Sequence, residues 1–462
     1  SSSDGDEIVV GTIECENLET DQSIDEAECE DNPDVALLSV VSETESADAS
    51  PPSDEQPIIS DPYFYVSKIK YSFLPEGGDC SGLSNCQVST TPIQDAVDAV
   101  SGGLTPDDGT IYVEGGIFNE DIQISSLSGL TLQGAANELP TTLADGISIV
   151  DSQAIALFDF TYLKTILLNN ATNITIGGTD QNDQIDVTLS GSNQVEVRAD
   201  AGDDEIKVHG SHGNVDVYGG AGNDFLVVDF ILDANPADAM ISFDGGDDFD
   251  TLEVTGGSFD SVAYLPYSPS AGIIMLDGAQ VEYTNIEPVN ELSTATNASF
   301  SGTSSGDTIT IADGGVVTDA TNCPTGCQTI EIQSPQFENV KFANKTNVTV
   351  DGNSGDDTIT LSFTKLANGL ESLIIKGGEP VVSLTEDADK IIVSGTIAMD
   401  GGKLDLTAEN ITVNANAIVS TRMVATGVSN YESAVSTGNS GNIKLNGSNI
   451  IIGNGAKLFA HV

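Results

Sequence analysis

Five phrases place aspartate in or after a glycine-rich turn and directly before a short apolar run: "DAGDDEIKV", "GGAGNDFLVV", "GGDDFDTLEV", "SSGDTITI" and "NSGDDTITL". The aspartates of the central stretch, Asp183, Asp204, Asp224 and Asp250, recur at intervals of roughly 20 to 26 residues. That is the length of three short strands with their turns, one rung of a stacked repeat. Stacking would bring Asp204, Asp224 and Asp250 together, with Asp203, Asp247 and Asp248 nearby. Clustered carboxylates repel unless a cation neutralises them. Calcium, a hard ion that takes six to eight oxygens from carboxylates and backbone carbonyls, fits that chemistry. The expected calcium set is therefore Asp183, Asp203, Asp204, Gly220, Gly222, Asn223, Asp224, Asp247, Asp248 and Asp250. Asp307, Asp356 and Asp357 form a second group. The competing reading is structural, since aspartate and glycine are ordinary turn residues.

Other chemistry is poorly supplied. Lyases of acidic glycans need cationic groups beside the substrate carboxylate, yet the chain has two arginines, Arg198 and Arg422, and no Arg/Lys cluster. Glycoside hydrolysis needs a carboxylate pair, and among 72 acidic residues none stands out. No nucleophile elbow, phosphate loop or His-Glu-x-x-His motif occurs. His209 and His212, three apart, read as exposed turn residues rather than a metal pair. The expectation is a protein that is not an enzyme.

The charge balance narrows the partners. Fourteen basic residues give a formal net charge of -58, which repels nucleic acid and anionic membrane surfaces and favours cations. No apolar run is long enough to span a bilayer. Hydrophobic residues make up 39% of the chain, enough for a buried core. Six cysteines fall into three local pairs, Cys15/Cys29, Cys80/Cys86 and Cys323/Cys327. With only three histidines and no C-x-x-C pair, disulfides in an oxidising compartment are the better reading than zinc. Sequons at Asn170, Asn173, Asn297, Asn344, Asn347, Asn410 and Asn446 permit glycosylation, although abundant Asn and Thr produce such matches unaided.

The elements that must position these residues divide the chain in three. Residues 1–62 hold no Lys or Arg and pass through the linker-like "SETESADASPPSDEQP", an acidic N-terminal arm in which "EIVVGTIEC" reads as one strand. Residues 63–90 form a cysteine-containing lead-in. From 91 onward a short helix is expected, with Ile93, Ala96, Val97 and Val100 on one face and Gly102 and Gly103 ending it. After it, strands of β-branched residues alternate with turns to the C-terminus. Two tail segments align without gaps, pairing Leu404 with Ile443, Leu406 with Leu445, Asn410 with Asn449, Ile411 with Ile450 and Val413 with Ile452. This self-similarity indicates a solenoid.

Residues 219–227, G-G-A-G-N-D-F-L-V, fit the calcium nonapeptide at each fixed position. They resemble the RTX repeats of secreted bacterial proteins. The phrases at 199–207, 245–253, 302–310 and 352–360 are degenerate versions, with about one phrase per coil where that family has two. The stretch "IQDAVDAV…DGTIYVEGGIFNEDIQI…LTLQG" resembles the N-terminal cap and first coils of pectate-lyase-like β-helices. The tail from about 400 resembles filamentous-haemagglutinin-type repeats. These resemblances imply an all-β, right-handed parallel β-helix over 91–462 with a short N-terminal capping helix. RTX-like coils are expected at about 174–260 and 300–362, and haemagglutinin-like coils at about 390–462.

The functional expectation is an extracellular, cell-surface prokaryotic structural or adhesive protein of fibre, surface-layer or adhesin type, stabilised by Ca2+. Its partners would be copies of itself joined head to tail, further repeats of a longer chain, or cell-surface glycans. The alternative is a polysaccharide-binding or polysaccharide-cleaving β-helix, for which the chain offers 5% aromatics and no Trp.

Overall fold

The computed structural model describes residues 6–10, 72–74, 81 and 86–460, apart from 104–105, 114, 136–139, 163, 192, 211–212, 231–238, 379–387 and 422–440. The fold is all-β with long, mainly parallel sheets, and it divides into two compact units, 1–200 and 201–462.

In the first unit the chain feeds three parallel ladders in turn. One contains Asp6–Val10, Pro106–Val113, Ser128–Gln133, Gln153–Phe158, Thr172–Gly177 and Gln194–Arg198. The second contains Ile122–Ser125, Ile147–Val150, Ile166–Asn169 and Gln184–Ser190. The third holds Gly116–Phe118, Thr141–Leu143 and Phe160–Tyr162. Part of the acidic arm, Asp6–Val10, thus joins a sheet.

Alternation along each strand sends every second side chain inward, and in-register pairing stacks like on like. Leu130, Ile155, Ile174 and Val195 form one buried row, and Ile124, Ile149, Leu168 and Leu189 another. No single strand can bury such a face, so each level depends on its neighbours.

Corners are set by residues that tolerate positive φ. Ser126, Asp151, Asn170 and Gly191 follow successive strands of the second ladder with φ of 56°, 49°, 49° and 69°. Asn and Asp pay less than other residues for this left-handed region, and Gly nothing. Asn170 Nδ2 donates to Asp151 Oδ1 at 3.2 Å, so this sequon asparagine is part of the corner stack.

The expected helix forms at Pro92–Ser101, with Ile93, Ala96 and Val97 buried. Thr91 occupies the N-cap position but makes no side-chain cap bond. Glu120 does that work instead, its carboxylate accepting from the backbone N–H of Ile93 (3.1 Å) and Gln94 (2.9 Å). Anionic acceptors are favourable at a helix N-terminus.

The second unit departs from an uninterrupted parallel coil. Its first ladder runs Gly213–Ala221, Ala239–Asp247, Ala279–Thr284, Ala271–Leu276, Ser258–Ser268, Thr294–Ser301, Lys345–Asp351, Ser372–Lys376, Lys403–Thr407 and Ile443–Asn446. Ser258–Ser268, Ala271–Leu276 and Ala279–Thr284 form an antiparallel meander inside it. The second ladder carries a matching meander of Thr308–Val317, Cys327–Gln333 and Val340–Phe342. Each meander adds two antiparallel steps to its own ladder, so neither outgrows the other.

The tight turn of the first meander is Asp277-Gly278, with φ of 51° and 119°. That dipeptide with both φ positive is the two-residue turn whose twist matches an antiparallel pair. The inward faces of the two ladders meet at stacked aromatics. Tyr264 lies 4.2 Å from Phe300, and Phe300 lies 5.2 Å from Phe342. Near the C-terminus the aligned tail segments pair in the expected register, Leu404 on Ile443, Leu406 on Leu445, Asn410 on Asn449, Ile411 on Ile450 and Val413 on Ile452.

Candidate functional site: the buried aspartate row

The aspartates singled out by the sequence sort into two sets. Asp183, Asp204, Asp224, Asp250, Asp307 and Asp357 are buried, each at 2% exposure or less. Asp203, Asp247, Asp248 and Asp356 face solvent, as does Asn223. The structure therefore does not gather all of them into one cluster.

Within the second unit the buried set forms a row bonded from level to level. The backbone N–H of Asp204 donates to Asp224 Oδ1 (2.9 Å), and that of Asp224 to Asp250 Oδ1 (2.8 Å). The pattern repeats lower in the chain, Asp307 to Asp357 (2.6 Å) and Asp357 to Asp389 (3.0 Å). Asp389 was not anticipated. Its glycine, Gly377, stands twelve residues upstream instead of five, which removes the local signature.

Where a glycine stands five residues before the aspartate, as it does for Asp224, Asp250, Asp307 and Asp357, it has a steric role. A Cβ on Gly219 would lie 2.3 Å from Asp224 Oδ2, on Gly245 2.4 Å from Asp250 Oδ2, on Gly302 2.6 Å from Asp307 Oδ2, and on Gly352 2.5 Å from Asp357 Oδ2. The carboxylate occupies the space a side chain would fill. Gly220 and Gly222 serve differently, with φ of 118° and 127°. A Cβ on Gly222 would fall 2.0 Å from the Gly202 carbonyl oxygen of the adjacent turn.

The second oxygen of each carboxylate meets varied surroundings. Asp183 Oδ2, in the first unit, accepts from Thr179 N (2.6 Å) and Thr179 Oγ1 (2.9 Å), and Asp307 Oδ2 accepts from Thr303 N (2.6 Å). Asp224 Oδ2 and Asp250 Oδ2 are buried with no hydrogen-bond partner among the described residues. Desolvation pushes both of these carboxyls up to about 6, the bonds from Asp204 N–H and Asp224 N–H opposing it. Burial likewise raises Asp183 and Asp307.

On the solvent side Asp203 Oδ1 accepts from Asn223 N (2.8 Å) and Nδ2 (3.0 Å), which hold its carboxyl below the ordinary value. Asp356 Oδ1 accepts from Ala388 N at 3.2 Å. Asp247 and Asp248 are exposed, Asp248 with φ of 79°.

Among the described residues no group of three or more His, Cys, Asp or Glu side chains converges as a metal centre would require. What the row does present is two orphaned carboxylate oxygens on successive levels.

A second polar site was missed by sequence reading. Between Asp319 and Cys327, closed by the Cys323–Cys327 disulfide, the loop of the second meander reaches the strand Phe225–Asp229. Thr321 Oγ1 donates to Asp229 Oδ2 at 2.8 Å, and Asn322 Nδ2 donates to the Leu292 carbonyl at 3.0 Å. His209 is not an exposed turn residue: it ends the strand Glu205–His209, half-buried, with Nδ1 3.5 Å from Asp229 Oδ2. Glu253 lies nearby, pushed up to about 7 by burial and then by Asp319. Contacts across such sequence distances leave no local signal. His212, Cys15, Cys29 and Cys80 lie outside the described residues, and Cys86 opens the strand Cys86–Val88.

No protein-family model, curated protein or solved structure matches the chain. Among the described residues no helix is long and apolar enough to cross a membrane.

Proposed function

We propose that the chain is the shaft of an extracellular structural protein of fibre, surface-layer or adhesin type, built as a right-handed parallel β-helix whose N-terminal helix covers one end of the core. The observation that carries this reading is the bonded aspartate row, in which Asp204, Asp224 and Asp250 are joined amide to carboxylate across levels. Such a row makes each level the template for the next, a device suited to rigidity along one axis. The Cys323–Cys327 disulfide supports an oxidising, extracellular location.

Calcium enters as part of the proposal at the orphaned oxygens of Asp224 and Asp250, where backbone carbonyls and water would complete its shell. Negative-stain electron microscopy and small-angle scattering of the purified chain test the reading. Stiff rods or filaments are expected; compact particles would overturn it.

A polysaccharide-binding role is favoured by one observation. On the outward face of the first meander Tyr267 is exposed, its hydroxyl donating to Glu282 Oε1 at 3.0 Å, beside exposed Leu265. A tyrosine steadied in this way can stack on a sugar ring. A glycan array with the Tyr267→Ala variant as control separates this reading from a purely structural one.

A further inference from the structure

Two oppositely charged side chains lie inside the second unit, outside the aspartate row. Glu291 ends the strand Val289–Glu291, Lys345 opens the strand Lys345–Asp351, and both side chains are 0% exposed. Burying an ion pair costs more in lost hydration than the pair commonly returns. A single pair sealed in an aliphatic and aromatic core therefore calls for a further explanation.

The hydrogen bonds around the pair are unequal in a telling way. Glu291 Oε1 accepts from the backbone N–H of Ser293 (3.1 Å) and from Ser293 Oγ. Among the described residues Oε2 has no hydrogen-bond donor beyond the close Lys345 ammonium and the Tyr264 hydroxyl turned toward the carboxylate. Lys345 Nζ lies 2.5 Å from Oε2, and it donates to the carbonyl oxygens of Ala343 (3.0 Å) and Ser293. One carboxylate oxygen is thus gripped by two donors and the other faces the amine, with the Tyr264 hydroxyl also turned toward this carboxylate. Two donors on one oxygen are what an addition at the carboxyl carbon needs, because negative charge collects there as the carbon becomes tetrahedral. Burial also pushes the Lys345 amine down, against the opposing pull of Glu291. That favours the neutral, nucleophilic form.

We propose that Lys345 and Glu291 become joined by an intramolecular amide bond once the chain has folded. A proton passes from the Lys345 ammonium to Glu291 Oε2, leaving a neutral amine beside a neutral acid. The Nζ lone pair adds to Cδ and forms the new N–C bond, while the displaced electron pair settles on Oε1 under the Ser293 donors. Collapse restores the Cδ–Oε1 double bond and breaks the Cδ–Oε2 bond. Oε2 leaves as water, carrying two of the three ammonium protons. The third stays on the amide nitrogen, with the Ala343 and Ser293 carbonyls at hand to accept it. No oxidant or other reactant is required, and two buried charges are replaced by one neutral group whose partners are already in place.

The bond would tie two levels of the second unit covalently, through residues that flank the strand Thr294–Ser301 and the second meander. The inference does not depend on the function proposed above, since a buried staple suits any protein that must resist unfolding.

Intact-mass spectrometry of the full chain, reduced and denatured, tests it. The expected mass is about 18 Da below that of the sequence, the loss of one water. Tandem spectra of a protease digest should contain a branched peptide joining the Lys345 and Glu291 segments. The Glu291→Ala and Lys345→Arg variants should show the full mass. If a variant fails to fold, the wild-type spectrum still decides. An unmodified wild-type mass, or a water loss with no branched peptide at these two residues, would overturn the proposal.

Discussion

The backbone N–H of Asp224 donates to Asp250 Oδ1 at 2.8 Å, while the other oxygen of the same carboxylate, Oδ2, is buried against Gly245 without a hydrogen-bond partner among the described residues. One atom joins two levels and its twin carries an uncompensated cost. The row is therefore structurally necessary and electrostatically expensive at once. Each of those properties has a measurable consequence.

The steric requirement is tested at Gly245. A methyl group there would sit 2.4 Å from Asp250 Oδ2 and 2.2 Å from the Asn285 carbonyl oxygen, and one of those is backbone that cannot swing away. Gly245→Ala is expected to destabilise the second unit by about 1–3 kcal/mol, the usual cost of forcing an extra carbon into a packed interior. Thermal unfolding followed by circular dichroism checks it, with a lowered Tm expected. An unchanged Tm would show that the aspartate does not need the glycine's space.

The pH dependence follows from the carboxyls that burial raises above their ordinary values, five of them to about 6 or higher. Asp224 and Asp250 stand at about 6, Glu120 and Glu253 at about 7 and Glu338 at about 8, with burial the largest cause in each case. A raised carboxyl holds its proton more tightly in the folded state than in the unfolded one. Folding therefore takes up protons across this range, and stability falls as pH rises. The contribution is fully present below the ordinary carboxylate values and lost progressively as pH climbs through about 6 to about 8. A Tm that increases from pH 8.5 to pH 5 is expected. The reverse slope would mean that the buried carboxylates have partners that stabilise their charge.

Calcium and protons should compete for the same two oxygens. At pH 8 both carboxyls are ionised, and calcium is expected to raise Tm more than sodium does at equal ionic strength. At pH 5 the difference should largely vanish. Asp250→Asn keeps an oxygen for the Asp224 N–H while removing the orphaned charge. It should raise Tm at pH 8 and weaken the calcium response. Identical calcium and sodium curves at pH 8 would remove calcium from the proposal and leave the row to protonation alone.

Much of this architecture is written locally in the sequence, and the exceptions share a cause. The pairing of Leu404 with Ile443 and of Ile411 with Ile450 is visible because each tail segment repeats the same pattern over the same length. The buried aspartates at 224 and 250 are legible through the glycine five residues before them. Asp389 is not, because its spacing to Gly377 is longer. The antiparallel meanders escape period-two reasoning, since a strand alternates in the same way whichever direction its neighbour runs. The Asp277-Gly278 turn was the available signal for the first of them. Lys345 with Ser293 and Thr321 with Asp229 pair over 52 and 92 residues. Nothing near any of the four marks its partner.

The tail offers a test of self-association. Ile450 and Ile452 pair in register with Ile411 and Val413, which are fully buried, yet they are 42% and 46% exposed themselves, and Ile451 between them is 51% exposed. Among the described residues no strand pairs with the other side of Asn449–Ile452. Where no further strand is laid on it, such an edge presents unpaired backbone groups together with apolar side chains, a template for another chain. The net charge of -58 opposes such contact, and salt weakens the repulsion, because exposed charges more than about 10 Å apart are largely screened at 0.1 M. Association of the 462-residue chain is therefore expected to rise with both concentration and ionic strength, and multi-angle light scattering at several salt concentrations reads it directly. Ile450→Lys with Ile452→Glu leaves the net charge unaltered while making the edge polar, and should keep the chain monomeric at the highest salt. If the double variant associates as strongly as the parent, the contact lies elsewhere on the molecule.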